Sequence, residues 1–342
     1  MRRLLVFLLL APIILCAAPK KKAPWQLSLG TDLGYDTNVF ALSDSDIDKF
    51  DDGNTNFSFA ESSDDMIISP SAKLSHDWKW RRITFTPSVQ GDYTLYTSNS
   101  DKSKWSALTA IEGQYRKWDA KVWYGYYPEN YVRDYKDRDG SGANEPYKYD
   151  KDLFKGRVQY DVLKHDTAAL SGKYEIYRYN EYFTEYDGEA ITLGGEWTHS
   201  FPGFYLTGGY QYRTYDCNEL SAQQIEDDLG DGSYESNLYS VELQNKKIRI
   251  AHRKYIRPGI SFDFEDRYYQ TNRQDAAHAD RHDRKYTLTA QCSFLMMQHT
   301  EWVLAFTQTR RDADSDYNPN LGKTKDYSAE QVWLRLRYDL SL

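Results

Sequence analysis

The carboxy-terminal stretch 332–342 alternates without a break. Val332, Leu334, Leu336, Tyr338, Leu340 and Leu342 are apolar, and Trp333, Arg335, Arg337, Asp339 and Ser341 fall between them. Side chains of a strand point in turn to its two faces, so this segment has one greasy face and one largely charged face. The same pattern recurs along most of the chain, and beyond the amino terminus no long apolar run is left to build a soluble core. Strands that are apolar outwards and polar inwards suit a closed barrel with lipid outside and water inside, because a bilayer tolerates no unpaired strand edge. The final strand is therefore expected to close such a barrel against the first.

The amino terminus fits an exported chain. Arg2 and Arg3 precede an apolar run from Leu4 to Leu15, and Ala17 and Ala18 follow. A basic flank, a short apolar segment and small residues make a signal peptide, and the run is too short to span a bilayer. The expected division is signal peptide 1–17, short basic lead 18–24 and barrel 25–342. Lipidation of Cys16 stays open as an alternative. Mean hydropathy is −0.78, a value usual for soluble or disordered chains. Yet 15% of the residues are aromatic, with 30 tyrosines, and disordered chains are poor in such rings. The formal net charge of −8 excludes nucleic acid as a partner, since a polyanion needs a basic surface. Cys217 is expected on the lumen side and Cys292 on the lipid side, as two free thiols.

Strands are expected at 25–35, 68–76, 83–93, 104–116, 118–129, 151–162, 167–179, 188–199, 204–215, 234–245, 254–270, 285–296, 301–311 and 327–342. Short connections at 78–82, 116–118, 163–166, 199–203, 246–253 and 297–300 alternate with long polar ones. The long ones are 41–65, 97–103, 130–150, 180–187, 216–233, 271–284 and 312–326. Outer-membrane barrels show this asymmetry, with short periplasmic turns and long outer loops. The fold class is thus all-β, an antiparallel transmembrane β-barrel of about fourteen strands. The segment 246–253 is the one place where an extra short pairing has room. Trp25, Trp78, Trp80, Trp118, Trp197 and Trp302 gather at the short-turn ends. Tyr93, Tyr96, Tyr126, Tyr179, Tyr212, Tyr268 and Tyr269 gather at the other rim, as interfacial girdles do.

The first strand runs into Gly34-Tyr35-Asp36-Thr37-Asn38-Val39-Phe40. Here the chain resembles the first strand of the β-barrel porin family of Gram-negative outer membranes. It is also similar to the opening of the barrel domain of surface-lipoprotein assembly modulators, whose helical-repeat half is missing from this sequence. The resemblance implies a channel in the cell outer membrane. The implied partners are the lipid bilayer, lipopolysaccharide, small hydrophilic solutes and the barrel-assembly machinery.

Strand phase assigns charged candidates to the lumen wall. The bases are Lys73, Arg82, Arg116, Lys121, Lys155, Arg157, Lys173, Arg213, Arg257, Arg335 and Arg337. The acids are Asp32, Asp77, Asp92, Glu112, Asp161, Glu175, Glu196, Glu242, Asp263, Glu265 and Asp339. The two sets balance, which fits either a water-filled channel or a network of ion pairs that stiffens the barrel. Asp44, Asp46, Asp48, Asp51 and Asp52 in one loop, with Asp227, Asp228 and Asp231 in another, form an acidic mouth. That mouth is expected to favour cations mildly at low salt. It is no helix-flanked calcium loop: counted from Asp44, the sixth and twelfth positions are Lys49 and Thr55, where Gly and Glu are needed. His278 and His282 flank Asp280, a weak metal signal. No nucleophile elbow, zinc-protease helix or phosphate loop occurs, so no catalytic residue, metal or cofactor is expected. A porin-like channel leads, with a surface adhesion or assembly barrel and a membrane-embedded hydrolase as alternatives.

Overall fold

The computed structural model describes residues 25–137, 140–217, 232–271, 277–297 and 299–342. The signal-peptide expectation lies outside them. Sixteen strands follow in chain order: β1 (Trp25–Asp36), β2 (Asp65–His76), β3 (Trp78–Trp80), β4 (Ile83–Tyr96), β5 (Lys104–Tyr115), β6 (Trp118–Lys136), β7 (Asn144–Asp161) and β8 (Asp166–Tyr179). Then come β9 (Gly188–Ser200), β10 (Phe204–Cys217), β11 (Tyr234–Asn245), β12 (Ile248–Ala251), β13 (Lys254–Tyr269), β14 (Arg281–Met297), β15 (Thr300–Ser315) and β16 (Tyr327–Ser341). Two short helices lie in connections, α1 (Asp44–Asp51) and α2 (Gly322–Lys325).

Every neighbouring pair is antiparallel, and the ring closes. β1 is bonded to β2 on one side and to β16 on the other, from Gln26↔Ser341 to Asp36↔Gln331. β11 pairs directly with β13, so β12 only folds back on β13, as β3 does on β4. The barrel proper therefore has 14 strands, and the extra pairing in 246–253 is β12.

The register puts apolar side chains outside. Leu33 lies opposite Leu334, which lies opposite Leu304, a row of leucines across the closing seam. Val122, Leu170, Leu193, Val241 and Ile260 continue the band around the ring, and Leu170 is 72% exposed. Apolar surface encircling a whole molecule is stable only against lipid. Outward Trp118 meets Tyr160, and Trp25 meets His76, at the short-turn end. The tight turns there use left-handed residues Arg81, Arg116, Arg253 and His299, with φ of 53°, 52°, 56° and 69°.

Several expectations need correction. Connection 130–150 is mostly strand: β6 runs to Lys136 and β7 starts at Asn144, leaving a narrow hairpin above the barrel. Its tyrosines pack on one another, as Tyr135 does on Tyr147, which holds the extension without lipid. β14 likewise begins at Arg281 and β15 persists to Ser315, shortening 271–284 and 312–326. Connection 41–65 is folded, with α1 and a 3₁₀ turn at Thr55–Phe57. Of the tyrosines assigned to the rim, Tyr96, Tyr179 and Tyr269 share the inward phase of Asp92, Glu175 and Arg267. Cys217 is buried on the inward phase, Cys292 takes the outward phase, and they form no disulfide.

Leu334→Arg should destabilise the barrel by about 2–4 kcal/mol if the side chain lies near the bilayer midplane, whereas Arg335→Ala should cost far less. Urea titration in lipid vesicles, read as the fraction that keeps its folded gel mobility without boiling, measures both.

Candidate functional site

The site is the lumen, and the motif at the end of β1 shapes its upper part. Asp36 accepts from the backbone N–H of Asn38 (2.8 Å) and from Gln331 Nε2 on β16 (2.6 Å). Asn38 Nδ2 donates to the carbonyls of Leu42 (2.8 Å) and Ser328 (2.9 Å), while its Oδ1 accepts from Leu42 N–H. These bonds tie the 37–64 connection to the closing seam. Gly34 is required nearby, because the Trp333 ring from β16 lies where its Cβ would stand.

Pinned in this way, the connection packs inward on a small apolar cluster of Phe40, Leu42, Ala60 and Tyr131, flanked by Ile47, Phe50, Phe57 and Phe59. Tyr131 belongs to β6, several strands away, so the connection reaches over the lumen edge. Its far end is clamped by Asp65, which is 2% exposed. Asp65 accepts from Thr97 N–H and Oγ1, Ser98 N–H, Asn99 N–H and Asn99 Nδ2 at 2.7–3.0 Å. Asp64 is bonded to Ser62 and Tyr35, which hold its carboxyl below the usual carboxylate range. Asp44 and Asp46 sit in the first turn of α1, where the helix dipole favours acid. Asp46 is buried and paired with Lys49 at 3.0 Å, and Asp52 caps the other end. Asp48 and Asp51 complete the acidic set on α1, while Asp227, Asp228 and Asp231 lie outside the described residues.

The wall below is laced by ion pairs. Glu112 meets Lys121 (3.8 Å), Arg157 meets Glu196 (2.7 Å), Arg257 meets Glu301 (3.2 Å) and Asp32 meets Arg335 (3.6 Å). Glu175 takes Arg213 and, at 3.5 Å, Lys151. Lys173 donates to Gln211 (3.4 Å), Asp92 accepts from Ser106 (2.8 Å) and Asp339 accepts from Ser28 (2.6 Å). Lys121 and Lys155 lie over the inward ring of Trp123, at 5.0 and 4.7 Å. Lys73, Glu242, Asp263 and Arg337 share the inward phase. Asp77 and Asp161 accept from Thr86 and Thr167 near strand ends. Arg82 and Arg116 lie in the tight turns, where the Arg116 guanidinium covers the Tyr115 ring at 5.2 Å. Further inward bases escaped the sequence assignment, among them Lys104, Lys151, Arg267, Lys285 and Arg311. Arg267 shares the phase of Asp263 and Glu265, so that signal was present; Glu265 pairs with it at 2.8 Å.

Above this wall the lumen narrows to an aperture. β6 and β15 stand almost opposite each other in the ring, yet Lys325 Nζ, beyond β15, lies 6.0 Å from the Tyr135 ring of β6. Together with Tyr147, Phe183, Tyr186 and Tyr269, these elements line a cavity of about 460 Å³. Tyr147 is the hub, with ring contacts to Tyr135, Tyr179, Phe183 and Tyr186 at 4.7–5.5 Å. Five lysines and arginines line the cavity: Arg133, Lys136, Arg281, Arg311 and Lys325. Arg281 is held by Asp283 through two bonds of 2.8 and 2.7 Å and covers Tyr269 at 4.4 Å. Arg311 donates twice to the Lys325 carbonyl, at 2.9 and 2.6 Å. His278 lines the same cavity, whereas His282 turns to Asp266 at 2.6 Å, so the two histidines do not converge on one metal. Among the described residues no group of three or more His, Cys, Asp and Glu is placed to hold one.

No family model matches the chain, and no curated protein matches it. Among solved structures the chain is similar to a bacterial polysaccharide outer membrane secretin, at 7% identity over 94% of this chain and 100% of the other, with a TM-score of 0.49. It is also similar to OccAB3 of Acinetobacter baumannii, at 8% identity over 92% and 99%, TM-score 0.46. The TodX monoaromatic hydrocarbon channel, a deltaS2 mutant, gives 10% identity over 95% and 91%, TM-score 0.46. At these identities the likeness is one of form alone.

Lys102 lies in the turn before β5, donates to the Val132 carbonyl at 3.1 Å and covers the Phe40 ring at 4.6 Å. Burial, helped by nearby Lys104, pushes its ammonium down to about 7. A lysine depressed on folding penalises the folded state while charged, and the penalty is relieved as pH rises from about 7 towards the ordinary lysine value of about 10.4. Between those limits wild-type stability should therefore gain on that of Lys102→Met, which removes the titrating group. Thermal unfolding of both proteins in detergent from pH 6 to 10 checks the difference.

Proposed function

We propose that the protein is a porin-like channel that passes small hydrophilic solutes through the outer membrane of a Gram-negative bacterium. One observation carries this. A ring that is apolar outside encloses a charged, hydrogen-bonded interior, and its longest described connection, 37–64, folds inward over the lumen. A surface adhesin would gain from loops projecting outward, whereas an inward connection narrows a passage and sorts what enters. The paired wall charges keep the interior polar and hold the bore's shape, and the aperture constricts it near its upper end. The end that bears the longer connections faces the cell exterior, with lipopolysaccharide packed around its outward tyrosines; the short turns face the periplasm. Insertion would fall to the barrel-assembly machinery.

Purified protein in planar bilayers should give discrete conductance steps in molar potassium chloride, and Tyr147→Ala should enlarge them by opening the aperture. Folded protein that inserts but conducts no current would overturn the proposal. Orientation is checked by a membrane-impermeant thiol reagent on intact cells: Glu181→Cys should label and Lys164→Cys should not.

A further inference from the structure

We infer that the aperture is a binding site for organic carboxylates that carry a ring or another flat apolar face. This rests on the channel reading and names the solute class it favours. The chemistry of the lining supplies two kinds of contact at once. Arg133, Lys136, Arg281, Arg311 and Lys325 present positive charge to the cavity, against Glu185 alone among the acids that line it. Asp283 already neutralises Arg281. Lys325 Nζ donates to no acceptor among the described residues, and Arg133 is stacked on the Tyr135 ring at 4.6 Å with no carboxylate partner among them. These two cations retain unused donors, and a carboxylate is a strong acceptor for both ammonium and guanidinium.

Crowding of like charge in a partly desolvated place is costly unless an anion relieves it. Burial and the nearby arginines depress the Lys325 ammonium, against the opposing pull of Tyr135. A bound anion would reverse that pressure. The aromatic lining adds the second contact. Tyr135, Tyr147, Phe183 and Tyr269 offer ring faces and edges around the same space, and stacked or edge contacts between rings add to simple burial. The volume of about 460 Å³ lies in the range of small-molecule pockets and exceeds what a bare inorganic ion fills. Small anions such as chloride are thus matched only by the charge, and neutral ring compounds only by the walls.

This places selectivity differently from the acidic mouth expected from sequence. Asp46 is paired, Asp64 and Asp65 are bonded into the loop, and bases outnumber acids in the aperture lining.

Detergent-purified full-length protein is titrated calorimetrically with benzoate, acetate and benzyl alcohol, which present charge and ring together, charge alone and ring alone. Benzoate should bind at least about tenfold more tightly than either of the others, and Lys325→Met and Arg133→Gln should each weaken it by about tenfold, the scale of one charge-assisted hydrogen bond. Retained heat-dependent gel mobility shows that each variant is folded. Equal binding of benzoate and acetate, no benzoate binding, or unchanged binding in both variants would overturn the inference. Conductance of the same preparations separates the two proposals. Benzoate binding without current would leave the site standing and sink the channel; current without benzoate binding would do the reverse.

Discussion

The structure depends on one requirement, that no backbone amide or carbonyl be left unpaired in lipid. Each such group would cost several kcal/mol in hydrocarbon, so a spanning sheet must close on itself. The seam between β1 and β16 meets that requirement here, with continuous pairing from Gln26 to Asp36. Once the seam fixes the register, every other inside–outside assignment follows, because a slip of one residue would turn each strand over. The leucine row across the seam and the charges on its inner face, Asp32 and Arg335, express the same register from its two sides.

Closure also explains the interior. A barrel of this size leaves room that side chains from one wall cannot fill, so the chain spends charged and aromatic residues on structuring it. Along β7–β10 the bridging is visible: Arg157 reaches Glu196, and Arg213 reaches Glu175, across the small residues Ala169 and Thr192 of the intervening strands. At the upper end, tyrosines take over this task, and Tyr147 gathers rings from β6, β8 and the connection after it.

The sequence shows some of this clearly and some not at all. Alternation at 332–342, and the succession of short and long connections, make the architecture legible, since they are local consequences of a two-sided strand. Wall residues such as Glu112, Arg157 and Glu265 are legible by the same rule. The aperture is not. Arg133, Arg281 and Lys325 fall in segments that read as polar loop, and only the strand extensions to Lys136 and from Arg281 bring them together. The role of Asp65 was hidden for a related reason. One more carboxylate in an acidic loop looks like solvated charge, and its partners Thr97, Ser98 and Asn99 belong to another connection.

Asn38 and Asp36 hold the inward connection to Ser328 and Gln331, residues that lie at the opposite end of the sequence. Part of the connection's anchorage therefore exists only where the last strand has docked on the first, while the Asp65 clamp and the cluster of Phe40 and Tyr131 hold it from the other side. The same bonds read the register of the seam, since a shift by a single residue would turn the strand over and carry Ser328 and Gln331 away from Asn38 and Asp36.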